Sequence, residues 1–378
     1  MSSVRRVLIV GGGIAGLTLG AGLRRVGIDA EIIEQNRDWS VLGLGISLRG
    51  PTLRALDAVG VLDRCAQEGF DHGDFHLACN SAGEVVGKTE IPRLLGPDRP
   101  AGLGIMRPIF HAILLGACKA AAVPIRLGTT IDALREEEGA VAVTFSDGST
   151  ARYDLVVGAD GAYSKTRTLL FGADAPVPRF TGQAVWRATV PRSASVRTLM
   201  VYHGGACQPG INPVSEREMY IFLVENVPDN PRREARDLPQ IMRDLLAPFG
   251  GDLAEAREQV RDPAQIVYRP IETLLLPPPW HRGRVLLIGD AAHIPTPHLA
   301  SGAGLAIEDA VVLIELLGAG TPLPAMLDDF MTRRYERCRL VVENSLAASG
   351  QHESSPGAAQ ADPASVTTRT LAALSRPI

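Results

Sequence analysis

Short apolar runs that break abruptly on glycine set the rhythm of this chain. Residues 7–10 (VLIV), 30–33, 153–157 and 285–288 are apolar with almost no polar alternation, the pattern of strands buried on both faces of a parallel sheet. The texture differs over residues 183–190, 199–203 and 219–224, which alternate or are rich in β-formers and predict half-buried strands. Helical periodicity predicts helices over 15–26, 51–59, 107–121, 238–247, 302–317 and 326–347. Pro51 and Pro108 sit in first turns, and Gly60 stops the second helix. Residues 75–79 and 84–89 flank Asn80-Ser81-Ala82-Gly83 and read as a hairpin, with further strands at 123–127, 130–134 and 141–145. Residues 43–46 read as a glycine-rich loop. From about Ser349 the composition shifts to Ser, Gly, Pro and Ala, including Ser354, Ser355, Pro356 and Gly357, which predicts a loosely ordered tail.

These textures divide the chain. A strand–loop–helix unit occupies residues 1–74, resumes at 102–177 and returns at 282–348. A mostly antiparallel sheet unit takes the hairpin at 75–101 and residues 178–281, closed by Pro277-Pro278-Pro279, and 349–378 form the tail. The fold class expected is α/β with a second, largely antiparallel domain.

The first unit opens with Gly11, Gly13 and Gly16 in the order G-x-G-x-x-G, between a strand and a helix, and its second strand ends in Glu34. Each part has a physical job in a dinucleotide site. Gly11 permits the tight turn, Gly13 lets backbone approach a pyrophosphate, and Gly16 lets helix pack closely on strand. The helix N-terminus offers free N–H groups and partial positive charge, and Glu34 can accept hydrogen bonds from a ribose. NAD, NADP and FAD all suit this unit.

Composition removes other classes. A net charge of −4 gives no basic surplus for nucleic acid or an acidic membrane surface. Cys65, Cys79, Cys118, Cys207 and Cys338 are scattered and odd in number, which argues against a disulfide framework or a zinc site and fits a reducing cytoplasm. No apolar run approaches the roughly 20 residues of a membrane span. The first strand is expected within a few residues of Met1, leaving no room for a signal peptide before it.

Two further segments repeat the apolar-run-then-glycine pattern: DLVVGADGAYSKTR at 154–167 and GDAAHIPTPHLASGAGLAIEDA at 289–310. With the first motif, they make the chain resemble the single-component flavin-dependent aromatic hydroxylases of the p-hydroxybenzoate hydroxylase type, from Val7 to about Arg339. The resemblance implies a glutathione-reductase-like Rossmann FAD-binding domain over the first unit and a mostly antiparallel β-sheet substrate domain over the second. It implies bound FAD, transient NAD(P)H and O2, and hydroxylation of a small phenolic or hydroxylated N-heteroaromatic ring through a flavin C4a-hydroperoxide. Carried over by position, the cofactor residues are Gly11, Gly13, Ile14, Ala15, Gly16, Glu34, Arg107, Asp160, Gly161, Asp290, Gly302, Ala303 and Gly304, and Ser164 and Arg167 match the second motif. Pro297 falls beside the reactive edge of the flavin, and the helix from Gly302 would stabilise reduced flavin at N1. Arg107 is alternatively a solvated charge at a helix start.

The implied reaction needs neither metal nor protein nucleophile. His298, next to Pro297, is the candidate proton relay, since an imidazole near pKa 6.5 can exchange a proton with a ring hydroxyl at neutral pH. A backbone-bonded loop histidine is the alternative, and His293 in GDAAH reads as loop support. Ser47, Trp186, Arg187, Tyr202 and Tyr220 are substrate-pocket candidates. Of Trp186 and Arg187 only one can face the pocket; Arg187 inward suits a carboxylate or anionic ring, and outward it is a solvated strand residue. A monomer or homodimer is expected. The rival readings are a flavin-dependent reductase, a halogenase, disfavoured because Trp39, Trp186 and Trp280 form no Trp-x-Trp, and a non-enzymatic flavin-binding redox sensor.

Overall fold

The uninterrupted apolar runs become the centre of a parallel sheet. The computed structural model describes residues 4–39, 43–350 and 363–378. Its first sheet has six strands in the order His281–Arg282, Val285–Leu287, Leu155–Gly158, Arg6–Val10, Asp29–Glu34 and Ile125–Leu127. All neighbours run parallel except the first two. The helix Ile14–Arg25 packs on this sheet and against the helix Gly302–Gly318, closely enough that a side chain at Gly22 would collide with Ile314. A small antiparallel sheet, Ile131–Glu137, Ala140–Phe145 and Thr150–Tyr153, adds Val141, Val143 and Phe145 to the same core.

The alternating segments form the second layer. An eight-stranded sheet has the order His293–Ile294, Ile266–Leu275, Arg179–Pro191, Glu218–Asn226, Gly210–Pro213, Met200–Tyr202, Phe75–Cys79 and Val85–Glu90. Every pairing is antiparallel except that between Met200–Tyr202 and Phe75–Cys79. One face carries Trp186, Ala188, Met219, Ile221 and Leu223 into a core with Leu238–Leu246 and Asp252–Arg257. The opposite face, with Tyr220 and Phe222, meets Met106, Ile109 and Val214. That junction is where the site lies.

Two expectations are corrected. The glycine-rich loop expected at 43–46 runs into a strand, Gly45–Arg49, which pairs with Gly102–Met106 and, through it, with Phe70–Asp71. Gly45 serves close packing and not a turn, because any side chain there would run into the Tyr220 ring. The tail contains a helix, Pro363–Leu374, whose Val366, Thr370 and Leu374 are buried at helical spacing. Arg54 and Arg337 donate to the carbonyls at its C-terminal end, Arg54 to Arg376 at 2.7 Å and Arg337 to Leu374 at 2.7 Å. The most biased residues, including Ser354, Ser355, Pro356 and Gly357, lie outside the described residues.

Candidate active site

The first motif is built as a phosphate cradle. Gly11 has φ +111°, where a side chain would be strained and would strike the Ala159 carbonyl, so the first and second motifs touch through bare backbone. Gly16 likewise has room only for hydrogen beside the Gly11 carbonyl. Gly13 caps the helix in extended backbone, without a side-chain cap, and nothing lies within 4 Å of where its Cβ would stand. An uncapped helix start beside this open space fits a pyrophosphate. Glu34 ends its strand with Oε2 accepting from the Gly12 N–H at 2.9 Å and Oε1 from Asn36 N–H at 2.9 Å. Sequence reasoning missed the neighbours of Gly12: the Trp39 ring lies against it, tilted against the His111 ring at 4.8 Å between centroids, and His111 Nε2 is 3.0 Å from the Gly12 carbonyl.

In the second motif the Asp160 carboxylate accepts from Ser164 at 2.5 Å and from Thr166 N–H and hydroxyl at 2.8 Å, fixing the loop in which Gly161 takes φ +79°. Arg167, almost fully buried, donates to Ala162 O at 2.7 Å and Ala291 O at 2.9 Å, tying the second motif to the third.

The third motif is anchored from behind. Gly289, at φ +60°, sits against Ala15 and Ala306, and its N–H donates to Asp309 at 2.8 Å. Asp309 also accepts from His293 Nε2 at 2.7 Å and from Arg334 Nε at 2.7 Å, all three side chains fully buried. Burial alone would push His293 down, but the field of Cys338 and Asp309 outweighs it and holds its pKa well above the usual value. Burial would raise Asp309, but His293 and Arg334 bring it below the ordinary carboxylate range. His293, Asp309 and Cys338 converge like a metal group, yet Arg334 already brings a cation to Asp309 and stands 3.6 Å from Cys338. His293 is loop support, in a hub with no sequence signature beyond GDAAH.

Asp290 opens to the cleft, ringed by protein that raises its carboxyl pKa, while His293 and Arg107 pull it down. Arg107 opens its helix where its N–H donates to Leu44 O, and its Nε is buried without a partner. Burial, then the nearby Arg187, lower its pKa, and Asp290 opposes them. A half-buried guanidinium with an unpartnered Nε, under the field of Asp290, fits a polar cofactor edge better than a solvated helix-start charge. The helix from Gly302, Ala303 and Gly304 has no side-chain cap and no acid in its first turn, with Thr52 against Gly304, so its dipole also points at the cleft.

The pocket candidates separate by strand alternation. Arg187 lies beside Arg107, and Tyr220, paired with Asn212 Nδ2 at 3.0 Å through its hydroxyl, is on the same face of the sheet. Ser47 is buried nearby with its hydroxyl unpartnered. Trp186 and Tyr202 are corrected: both are fully buried on the other face, Trp186 tilted against Tyr268 and donating to Glu225 at 2.8 Å, Tyr202 against Phe249. With Trp186 in that core, pleating turns Arg187 toward the cleft.

Pro297 and His298 form a short turn ended by Ala300 in left-handed backbone. His298 Nδ1 is 2.9 Å from the Thr296 hydroxyl, and burial pushes its pKa down to about 4. Burial at this turn thus favours the neutral imidazole over the imidazolium. His72 is likewise lowered to about 4, first by burial, then by Arg49 against a bond to Pro213 O, and His76 to about 2 by burial, Arg49 and His72. A histidine depressed in the folded state leaves the unfolded chain binding more protons below pH 6.5, so stability is lost as pH falls from 6.5 toward about 4. Urea unfolding from pH 7 down to about 5 should show this slope, reduced in a His72→Gln, His298→Gln double variant. A wild-type slope near zero would contradict these neutral histidines.

The comparisons with known proteins agree with this geometry. A family described as "FAD binding domain" matches residues 5–345. The 2-heptyl-3-hydroxy-4(1H)-quinolone synthase of Pseudomonas aeruginosa is 33% identical, covering 82% of this chain and 80% of its own. The 3-amino-4-hydroxybenzoate 2-monooxygenase of Streptomyces cremeus is 31% identical, covering 89% and 83%. The crystal structure of Klebsiella pneumoniae HpxO with FAD and uric acid has the same fold, with a TM-score of 0.82 at 22% identity over 98% of this chain and 92% of that one. The chain belongs to the FAD-dependent monooxygenases of the p-hydroxybenzoate hydroxylase type. It is an FAD-dependent aromatic monooxygenase. Among the described residues no helix is long and apolar enough to cross a membrane.

Proposed function

We propose that this monooxygenase hydroxylates a small phenolic or hydroxylated N-heteroaromatic ring held between the Arg187–Tyr220 face of the large sheet and the turn of Pro297 and His298. The observation that carries this reading is the convergence of Arg107, Arg187, Asp290 and Tyr220, from four separate elements, on one junction. Relatives support the chemistry by name: one makes a hydroxylated quinolone, one acts on 3-amino-4-hydroxybenzoate, and HpxO forms a complex with FAD and uric acid.

The cofactor residues fit FAD: the Gly11–Gly16 cradle for its pyrophosphate, Glu34 for its ribose, and Arg107, Asp160, Asp290 and the Gly302 helix for the rest. When bound, FAD takes reducing equivalents from NAD(P)H and activates O2. The protein's own task is to orient the ring, exclude water and manage one proton. Phe222 and Met106 supply apolar wall. Arg187 favours a phenolate or other anionic form of the ring, and neutral His298 holds a hydroxyl with its imidazole. The five cysteines, all free, support a reducing, cytoplasmic setting.

The test is a panel of phenols and hydroxypyridines scored for stimulation of NADH and NADPH oxidation by the FAD-loaded enzyme, with product mass. The expected result is faster oxidation together with a product heavier by one oxygen atom. Oxidation that yields only hydrogen peroxide with every ring would defeat the substrate assignment.

A further inference from the structure

The segment that carries the third motif is pinned at three points by three different elements. Gly289 N–H donates to Asp309, the Ile294 carbonyl accepts from the Thr273 hydroxyl at 2.9 Å, and Thr296 N–H donates to Ser345 Oγ at 3.0 Å. Ser345 is fully buried in the helix Leu323–Ala348 and gives its own proton to the Val342 carbonyl at 2.9 Å, so its oxygen is left as the acceptor for Thr296. Thr296 therefore has a fixed backbone, and its side chain reaches forward along the turn. Its hydroxyl lies 2.9 Å from Nδ1 of His298, two residues on.

That contact can run in two directions, and hydrogen-bond accounting separates them. If Nδ1–H donated to the threonine oxygen, the hydroxyl proton would need another acceptor. Thr296 is 1% exposed, which keeps water from it, and among the described residues the His298 ring is the one partner of its hydroxyl. A buried O–H without an acceptor is costly. The opposite direction orphans nothing: Thr296 O–H donates to Nδ1, and the ring proton sits on Nε2. That nitrogen has no protein partner among the described residues and is the ring atom left for a ligand. Burial, with no counter-charge against it, also holds the ring neutral, so Nδ1 keeps its lone pair for the hydroxyl.

We infer that Thr296 is a positioning residue whose hydroxyl locks His298 in the Nε2–H tautomer, so that the turn offers an N–H donor to an acceptor oxygen of the substrate ring. The inference rests on the ring-hydroxylating reading above and adds the direction of its hydrogen bond. A phenolate oxygen or a ring carbonyl meets the Nε2–H with a lone pair. A ring with an amino group in the same place brings a second donor and gains nothing from it.

The test reads the tautomer directly, by NMR of the FAD-loaded enzyme labelled at the histidine ring nitrogens. The His298 signals are picked out from those of the eight histidines by their loss in His298→Gln. Wild type is expected to show one neutral form with its proton on Nε2. Thr296→Val keeps the shape and the backbone N–H but not the hydroxyl, and should turn this into a mixture of both tautomers. Thr296→Ser should restore the single form. Binding is then measured by equilibrium dialysis with 4-nitrophenolate and 4-nitroaniline, rings of one shape that carry an acceptor oxygen or a donor N–H in the same place. Thr296→Val is expected to weaken 4-nitrophenolate about fivefold to tenfold, with 4-nitroaniline and FAD content little changed and recovery in Thr296→Ser. A proton on Nδ1 in wild type, a tautomer unmoved in Thr296→Val, or equal weakening of both rings would each overturn the inference. No binding of 4-nitrophenolate at millimolar concentration would overturn its acceptor-oxygen part. Failure of the two readings is separable, because the tautomer result needs no turnover. An Nε2–H ring locked by Thr296, with no aromatic ever hydroxylated, would sink the ring-hydroxylating reading alone. Hydroxylation by an enzyme whose His298 carries its proton on Nδ1 would sink this inference alone.

Discussion

Asp309→Ala is expected to destabilise the protein by about 3–5 kcal/mol, the cost of leaving a buried charge without its partner. No other described carboxylate has so many buried dependents. Asp309 accepts from Gly289 N–H, His293 and Arg334, and its removal strands a guanidinium that is 0% exposed. Glu308 softens the loss, since it also accepts from Arg334 at 2.9 Å and from Arg337, but it does not reach Gly289 or His293. Asp309→Asn keeps an acceptor of the same shape and should fall between wild type and alanine. The effect extends to function, because the Gly289 N–H bond fixes the turn that presents Asp290. Denaturant midpoints should therefore drop for the FAD-free protein, and FAD retention should drop with them. A loss for Asp309→Ala within about 1 kcal/mol would show that the hub is not what holds the third motif.

The hub illustrates what the sequence could not show. His293 announced itself through GDAAH, but Arg334, which shares its partner Asp309, is 41 residues further on, in a helix whose periodicity alone predicts a core stripe. Long-range charge pairing leaves no local spacing to read. The FAD cradle was legible because its requirements are local: Gly11, Gly13 and Gly16 serve backbone conformation and clearance within one turn, and strand and helix flank them in sequence. The sheet layers were legible for a similar reason, since unbroken and alternating apolar runs report burial on two faces or one. The substrate side was legible only in part. Alternation predicts that Trp186 and Arg187 point oppositely, but which of them meets the cleft depends on where the helices Leu238–Leu246 and Asp252–Arg257 pack. Gly45 misled for a physical reason, because a glycine required by an aromatic ring pressing on a strand looks the same in sequence as a glycine required by a turn.

Gly13→Glu is expected to abolish FAD binding, weakening it at least about a hundredfold, roughly 2.7 kcal/mol, while leaving the fold intact. The position makes this separation possible. Gly13 has φ −79° and ψ −169°, extended backbone open to any residue, and its Cβ would meet nothing within 4 Å. A glutamate there places negative charge at an uncapped helix N-terminus, which by itself favours the helix by about 0.3–1 kcal/mol. The FAD-free variant should therefore melt at or slightly above the temperature of FAD-free wild type. The same carboxylate occupies the space and the N–H groups that a pyrophosphate needs, and it repels that group electrostatically. Gly16→Ala provides the contrast: its methyl would collide with the Gly11 carbonyl, so it should lose stability and FAD together. Colourless but well-folded Gly13→Glu protein, beside poorly folded Gly16→Ala, would assign the two glycines to ligand approach and to packing respectively. A Gly13→Glu protein that purifies yellow would place the phosphates elsewhere than at this helix.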